Sequence, residues 1–304
     1  MAKTNGDPFF VHQFIKTLCQ EGLIRNAAEE KRWHWDEDDI SRAEITNNVV
    51  ELLCLKIRQL SGASQQALTA AACFGNTFEV DVLARVCELP KHEVLAALMP
   101  PLKEGLLRPR DMSYKYLDLG EEAEPGADAL PPAAGGSRFS FVHDRVQQAA
   151  YSLLSDAEPD RLHLAIGRIM LHDLTKAQDE SELLFQTLDH LTPRFHLLTN
   201  PAEQSLLAGY TLQAAHKALA TMAAKTARQC ASDGARILGS KGWSDYYELC
   251  RDLHRCWAES AYLTGLFDEA EETLATFLVQ GSIRRRKEPK DTASRLSSTA
   301  ISIG

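Results

Sequence analysis

The chain has 304 residues, of which 44% are hydrophobic and 25% are charged, and its formal net charge is −9. This length suffices for about two ordinary globular domains, and the acidic balance disfavours a nucleic-acid-binding surface. No apolar run approaches the ~18 residues of a membrane span, and the amino terminus lacks a hydrophobic signal region. We therefore expect a cytoplasmic protein with no membrane partner.

The seven cysteines are scattered along the chain and form no CxxC pair. Most of them fall within apolar helical patterns. This distribution is typical of reduced, buried thiols in an intracellular protein, and it disfavours disulfides or a zinc site.

Residues 1–40 are predicted to form a helical leader. Its helix, residues 8–20, places four apolar residues on one face, namely Phe10, Phe14, Ile15 and Leu18. Gly22 ends the helix, and a short strand is predicted within residues 23–35. The acidic cluster 36–39 lacks the spacing of a calcium loop, so we interpret it as a solvated turn.

Residues 41–157 are predicted to contain helices followed by two strands. The helices cover 47–60 with Thr46 as its cap, Ser64–Phe74, the sequence GNTFEVDVLARVCEL (75–89) and the sequence KHEVLAALMPPLKEGLL (91–107). Pro100 and Pro101 are expected to kink or interrupt the last of these. The strands are Leu106–Pro109 and Arg138–Val142. Three helices followed by a two-stranded wing is the arrangement of a winged-helix domain.

The segment between the two strands, residues 118–137, is rich in Gly, Pro, Ala and acidic residues, and we predict that it is disordered. An acidic wing tip is poorly suited to lie against DNA phosphates. The composition therefore favours a packing role for the winged helix and no nucleic-acid partner.

The stretch from Arg138 to Tyr151 is predicted to run from a strand directly into a helix. Phe139 and Phe141 alternate with polar residues, as in a half-buried strand. Asp144 is the predicted N-cap, and Gln147 completes a capping-box pattern.

From residue 158 onward the sequence predicts amphipathic helices. Their ranges are 158–174, 180–192, 201–219, 221–238, 243–264 and 266–280. The segments 201–238 and 243–280 read as two helical hairpins that must stack to bury their apolar faces. The turn before Ala270, with Tyr262, Leu263, Gly265 and Phe267, resembles that of a tetratricopeptide repeat. A stack without a terminal cap would leave an apolar face open, so we expect self-association or a need for neighbouring domains.

Residues 281–304, with the basic run 284–287, are predicted to be a disordered tail.

Four stretches together carry a family resemblance that covers roughly residues 4–280. They are GDPFF (6–10), ITNNVVELLCLKIRQL (45–60) with AACFGNTFEV (71–80), FSFVHDRVQQAAYSLL (139–154), and WAESAYLTGLFDEAEE (257–272). The combination resembles the signal-transduction ATPase module, AAA-related and of the STAND class, of large signalling proteins. Those proteins join a Ser/Thr-kinase-like domain, this ATPase, a GAF domain and a histidine kinase.

The resemblance implies a mostly α fold, a winged-helix domain followed by helical repeats, with residues 1–40 ending the lid of the ATPase. It implies protein partners, namely an upstream nucleotide-binding domain and downstream GAF and kinase domains. ATP or ADP would be bound by the family through the upstream domain. Gly6 and Pro8 resemble a Gly-x-Pro element that contacts the adenine side of the nucleotide. The family usually has Asn where this chain has Asp7, and a plain helix N-terminus is the alternative interpretation.

The chain contains no GxxxxGK[ST] loop, so it lacks the backbone amides and the lysine that cradle phosphates. We therefore expect no cofactor and no ATP hydrolysis in this chain, and a non-catalytic regulatory or scaffold role. The runner-up is part of an ATPase-type transcription regulator with a DNA-binding output. A third interpretation, a metal-dependent phosphohydrolase, rests on the pairs His143-Asp144 and His172-Asp173, with His163 and His190 as further ligands. No GxSxG motif is present, and no Cys lies in an activating motif.

Overall fold

The computed structural model describes residues 8–20, 22–27, 32–36, 49–110, 137–176 and 181–287. The chain divides into two compact units, Met1–Ile169 and Met170–Gly304. The described residues are mainly helical and include two small antiparallel sheets, which confirms the prediction of a mostly α protein. Gly6, Thr46, residues 118–136 of the insert and residues 288–304 of the tail lie outside the described residues.

The first unit contains most of the strands and short helices. Its elements are α1 (Pro8–Gln20), β1 (Ile24–Ala27), β2 (Arg32–Trp35), α2 (Val49–Arg58), α3 (Gly62–Ala72), β3 (Thr77–Glu79), α4 (Val80–Cys87), α5 (Lys91–Lys103), β4 (Leu107–Pro109), β5 (Arg138–Phe141) and α6 (Asp144–Tyr151). The next helix, α7 (Glu158–Leu174), begins just after the predicted segment boundary at 157, and the division between the units lies within it.

The leader packs through one face of α1. Phe14 and Leu18 are buried with Leu52 of α2, but Ile15 is 47% exposed, so its predicted place on the apolar face is wrong. The predicted short strand is a hairpin in which β1 pairs with β2 from Ile24↔Trp35 to Ala27↔Arg32. Asp36 follows the hairpin and is exposed, and residues 37–39 of the acidic cluster lie outside the described residues.

The second sheet has the strand order β3-β5-β4 and is antiparallel throughout. Phe78 of β3 lies opposite Phe139 of β5, and their ring centroids are 6.2 Å apart. Strand β3 corrects the prediction that residues 75–89 form a helix. Gly75 has φ +104, and the left-handed turn there lets the chain enter β3 before α4 begins at Val80.

A single apolar core joins this sheet to α2–α6. Its largest fully buried side chains include Leu53, Ile57, Leu68, Leu83, Leu98, Leu106, Phe139 and Phe141. The strand-to-helix junction therefore lies at the centre of the unit. Strand β5 is not half-buried as the alternation predicted, because Ser140 between the two rings is also fully buried.

The prolines of α5 do not interrupt the helix, which continues to Lys103. Both occupy its last turns, where their own carbonyls complete the C-terminus. Glu104 N donates to Pro100 O at 3.0 Å, and Leu106 N donates to Pro101 O at 2.9 Å. Each proline removes one backbone donor from α5, but the chain stays helical through both positions.

Two helix starts also differ from the predictions. Helix α3 begins at Gly62, and Ser61 is its cap, with Oγ accepting from Ser64 N at 3.2 Å. Helix α6 begins at Asp144, and the cap is His143, whose Nδ1 accepts from Arg145 N at 3.1 Å. Asp144 is thus a first-turn acid and not the predicted N-cap.

The second unit is built from helices that follow one another closely. They are α8 (Ser181–Leu191), a 3-10 helix (Thr192–Leu197), α9 (Pro201–Ala220), α10 (Ala224–Asp245), α11 (Tyr247–Leu263) and α12 (Phe267–Lys287). Each of α9 to α12 packs on its neighbour in sequence. The predicted end of a helix at 238 is confirmed within α10, because Gly239 has the non-helical angles φ 55 and ψ −158, and a second helical piece follows this kink and ends at Asp245. Helix α12 extends through 281–287, so those residues, including the basic run, are helical and not part of a disordered tail.

Across the described ranges, we find no helix that is both long enough and apolar enough to span a membrane.

Candidate protein-interaction surfaces

The predicted nucleotide contact cannot be assembled from the described residues. Pro8 is the exposed first residue of α1, a position where its missing N–H costs no hydrogen bond, and Gly6 lies outside the described residues. Gly6 and Pro8 are the two residues that the sequence analysis predicted to contact nucleotide.

The histidines of the phosphohydrolase interpretation take part in local contacts. His143 caps α6, and His163 Nε2 lies 3.3 Å from the Tyr151 hydroxyl. His172 Nδ1 lies 3.4 Å from Asp173 Oδ1 in the second unit, and His190 is buried. Within the described ranges, no group of three His, Cys, Asp or Glu side chains is arranged to hold a metal ion.

Two side-chain hydrogen bonds fix α6 at the strand-to-helix junction. Gln147 Nε2 donates to Ala72 O at 3.0 Å, so it satisfies the carboxyl end of α3 and does not close a capping box. On the other side of α6, Cys54 Sγ donates to Ala149 O at 3.6 Å. Helix α6 is therefore held between α2 and α3.

A charged cluster attaches the leader to the rest of the first unit. Lys16 Nζ lies 2.8 Å from Glu104 Oε2, and Lys56 Nζ donates to Gln13 Oε1 at 3.0 Å. Burial, and secondly the positive charge of Lys16, lowers the pKa of Lys56. The hydrogen bond from Lys16 lowers the pKa of Glu104. These contacts hold α1 against α2 and the end of α5, which no local sequence pattern indicated.

The first unit has a hollow of about 360 Å³ between α3, α4, α5 and the start of α7. It is lined by apolar side chains, the polar Gln66 and Thr69, Cys87 and the ionisable Glu88, Glu158 and Arg161. Burial raises the pKa of the Cys87 thiol. A thiol with a raised pKa is a poor nucleophile at neutral pH, so the hollow offers no activated cysteine.

A second hollow, of about 420 Å³, lies in the helical unit between α8, the 3-10 helix, α9 and α10. Burial, and secondly the negative charge of Asp233, raises the pKa of the Cys230 thiol to about 11. The Arg236 guanidinium is 3.1 Å from Asp233 Oδ1 and 5.7 Å from the centroid of the Phe195 ring. This hollow also lacks an activated thiol, and its arginine is held by neighbouring side chains.

Aromatic side chains fill the seams between α10, α11 and α12. The ring centroids of Trp243 and His254 are 4.6 Å apart. Trp257 Nε1 donates to Glu269 Oε1 at 2.6 Å, and Arg228 Nη1 donates to the same oxygen at 3.0 Å. The hydrogen bond from Trp257 is the main cause that lowers the pKa of Glu269, and Arg228 adds to it. These aromatics are structural, whereas Tyr262 near the end of α11 is 65% exposed.

Tyr262 belongs to a run of exposed apolar side chains at the end of α11 and along α12. Its members are Tyr262, Leu263, Leu266, Phe267, Leu274, Leu278 and Val279. The rings of Tyr262 and Phe267 meet edge to face with centroids 5.4 Å apart. Clustered exposed apolar side chains of this kind mark protein-interaction surfaces.

Comparisons with protein-family models and with solved structures give no match. Among curated proteins, the chain is similar to hybrid signal transduction histidine kinase G of Dictyostelium discoideum, with 24% identity over 310 residues. The alignment covers 90% of this chain and 9% of the kinase. The chain thus spans less than a tenth of the length of that relative.

Proposed function

We propose that the chain is a non-catalytic regulatory scaffold of a signal-transduction protein, which couples a nucleotide-binding domain to the sensing of a protein partner. The observation that carries this proposal is the alignment of 90% of the chain with a small part of a signal transduction histidine kinase. A segment conserved in length within so large a relative suits a regulatory module better than a self-contained enzyme.

The arrangement of the first unit supports a winged-helix domain. The elements follow the order α3, β3, α4, α5, β4 and β5, and the central strand β5 pairs with both others. The connection between β4 and β5 corresponds to the wing. Within the STAND-class resemblance, such a domain packs on the nucleotide-binding domain.

DNA binding is the competing role for a winged helix. Helix α5, which would face the DNA, carries both signs of charge, with Lys91 and Lys103 but also Glu93. The net charge of the chain is −9. Phosphate contacts dominate affinity for DNA, so this charge distribution favours packing on protein.

The second unit supports a tetratricopeptide-like scaffold. Helix α9 packs on α10, α10 on α11, and α11 on α12, as in a stack of helical hairpins. The run of exposed apolar side chains around Tyr262 gives this unit a surface for a protein partner.

We propose that nucleotide reaches this chain only through another domain. The chain has no phosphate loop, so it lacks the backbone amides and the lysine that would hold the phosphates. Gly6 and Pro8 would then contribute a contact on the adenine side without supplying chemistry.

Association with the kinase region tests the proposal. The region that immediately precedes the aligned segment in the Dictyostelium kinase is purified and titrated with this chain by calorimetry. The kinase's own aligned segment is the positive control. We expect both to bind the region, and we expect this chain alone to show no turnover of MgATP.

Two results would count against the scaffold role. One is ATP turnover by the isolated chain that a substitution within residues 8–287 abolishes. The other is tight, sequence-dependent binding to duplex DNA at physiological salt together with no binding to the kinase region, which would favour the transcription regulator.

A further inference from the structure

The hollow of about 420 Å³ in the helical unit gathers two carboxylates and one guanidinium among its lining side chains. The carboxylates belong to Asp189 near the end of α8 and to Asp233 in α10, and the guanidinium belongs to Arg236. Negative charge is therefore in excess along the lining. A hollow of this volume lies within the range of binding sites for small ligands.

The two carboxylates act on the same part of the hollow. After burial, the negative charges of Asp233 and then Asp189 raise the pKa of the Cys230 thiol. Since this effect weakens with distance, both charges lie near that thiol. The Asp233 side chain is only 14% exposed, and Asp189 is exposed at the rim, where partial burial still raises its pKa. A cation in the hollow would be attracted by both groups.

Arg236 shows how the hollow accommodates a cation. Its guanidinium lies 3.1 Å from Asp233 Oδ1 and 5.7 Å from the centroid of the Phe195 ring. A carboxylate on one side and an aromatic face on the other is a favourable setting for an organic cation. The Arg236 side chain is nevertheless 62% exposed, so it lies towards solvent and the volume of the hollow stays open.

Thr192 adds a hydrogen-bond acceptor to the lining. Its Oγ1 is buried, and within the described residues it has no hydrogen-bond partner. Buried hydroxyl groups are ordinarily hydrogen-bonded, because leaving one unpaired costs its full desolvation. A ligand that donates several N–H bonds would satisfy this oxygen together with the carboxylates.

We propose that this hollow binds a primary alkylammonium group, which donates to the carboxylates of Asp189 and Asp233 and to Thr192 Oγ1. A primary ammonium has three N–H donors, and these three groups supply an acceptor for each. Its carbon chain packs beside the Phe195 ring. Both a free amine and the lysine side chain of a protein partner carry this group. The proposal does not depend on the scaffold role.

Ligand-observed NMR of the full chain with n-butylamine, which is protonated at neutral pH, tests the site. We expect saturable binding with a dissociation constant on the order of 1 mM, which is ordinary for so small a ligand. The control ligand is n-butanol, which has a similar shape and no charge. It should bind at least about tenfold more weakly, because it forms no charge-assisted hydrogen bond to the carboxylates.

Two larger probes distinguish the sources of the amine. Diaminobutane presents a second ammonium group, and Nα-acetyllysine amide presents the same ammonium group on a peptide backbone. Tighter binding of the diamine identifies a free polyamine as the ligand, and tighter binding of the lysine amide identifies a protein side chain. Both outcomes support the site.

Removal of the more buried carboxylate tests which groups bind the ammonium. Asp233→Asn should weaken the binding of n-butylamine about tenfold, because it replaces a charge-assisted hydrogen bond by a neutral one. The matched control is Glu248→Gln, which removes one negative charge from an ion pair with Arg251 in α11, outside the lining of the hollow. It should leave the binding unchanged.

Removal of the competing cation should have the opposite effect. Arg236→Gln should tighten the binding of n-butylamine about twofold to fivefold, the size of a partly exposed ion pair. Its matched control is Arg251→Gln, which removes the same charge from α11 and should leave the binding unchanged.

Three results would overturn the proposal. They are no saturable binding of n-butylamine, equal binding of n-butanol, and equal losses in Asp233→Asn and Glu248→Gln. Circular dichroism verifies that each variant keeps its helix content. If Asp233→Asn does not fold, the comparison of Arg236→Gln with Arg251→Gln decides, and the absence of tighter binding in Arg236→Gln would then overturn the proposal.

Discussion

The two units bury different kinds of side chain. The first packs large groups, since Phe78, Phe139 and Phe141 meet across its sheet. The second has a seam of small residues, namely Ala215, Ala218, Ala227, Ala231 and Cys256, beside the Arg228–Glu269–Trp257 hydrogen-bond network. We therefore expect substitutions that remove side-chain volume to destabilise the first unit. The second unit should be destabilised by substitutions that add side-chain volume or leave a polar group without its hydrogen-bond partner.

Lost volume should have the largest effect in the first unit. Phe139→Ala should lower its free energy of unfolding by about 3–5 kcal/mol, because the ring is fully buried and the surrounding side chains cannot fill the cavity. Urea unfolding with hydrogen exchange read by peptide would assign the loss to the first unit. Trp33→Ala, at a side chain that is 57% exposed, should cost less than about 1 kcal/mol. Equal losses in the two variants would contradict the central place of β5.

Added volume should distinguish the second unit. A Cβ at Gly234 would collide with Thr211 Oγ1 and approach Leu253 Cδ2 to 2.6 Å, so Gly234→Ala should cost about 1–3 kcal/mol. Gly209 of α9 has nothing within 4 Å of the same position. Gly209→Ala should instead stabilise the unit by about 0.5–1 kcal/mol, since alanine favours the helix. If both variants are stabilising, the seam is looser than the structure indicates.

The polar network around Glu269 predicts that acid destabilises the second unit. The folded-state pKa of Glu269 is lowered from 4.5, so the unfolded state binds its proton more readily. The stabilisation by this carboxylate is present above pH 4.5 and is lost as the pH falls through the folded-state pKa. Glu269→Gln should cost about 1–3 kcal/mol at neutral pH and should flatten this acid dependence.

Urea unfolding at several pH values measures both effects. Glu259→Gln, at an exposed position of α11, is the matched control and should change neither. An unchanged acid dependence in Glu269→Gln would show that other carboxylates cause it.

The cap of α6 should have the smallest effect. His143→Ala removes the hydrogen bond from Arg145 N and should cost about 0.5–1.5 kcal/mol. Asp144→Ala should cost less, about 0.3–1 kcal/mol, because it removes only a charge near the helix N-terminus. Thermal melts of both variants compare them directly. A larger loss for Asp144→Ala would restore the capping box that the sequence suggested.

Hydrophobic spacing in the sequence correctly predicted the helices and strands that neighbouring residues determine. The alternation of Phe139 and Phe141 predicted β5, and the amphipathic spacing of 158–174 predicted the bounds of α7. Strand β3 was missed because its three residues are defined by pairing with β5, about sixty residues later in the chain. The cap was misplaced because both His143 and Asp144 can accept an N–H, and only the backbone conformation decides between them.

The sequence predicted an open apolar face in the helical unit, but it did not predict which side chains form that face. The exposure of Tyr262 and the partial burial of Trp257 depend on which helices pack together. The contacts from Arg228 to Glu269 and from Lys16 to Glu104 join residues 41 and 88 positions apart. No spacing rule identifies such pairs, because side-chain packing across the unit determines them.

ATP turnover by the region preceding the aligned segment in the Dictyostelium kinase tests the scaffold role most directly. Turnover is measured for the region alone, with this chain, and with the kinase's own segment as the control. The scaffold role predicts that this chain alone gives no turnover and that its addition changes the turnover of the region. Turnover by this chain alone, or no effect of this chain where the kinase's own segment has one, would contradict it.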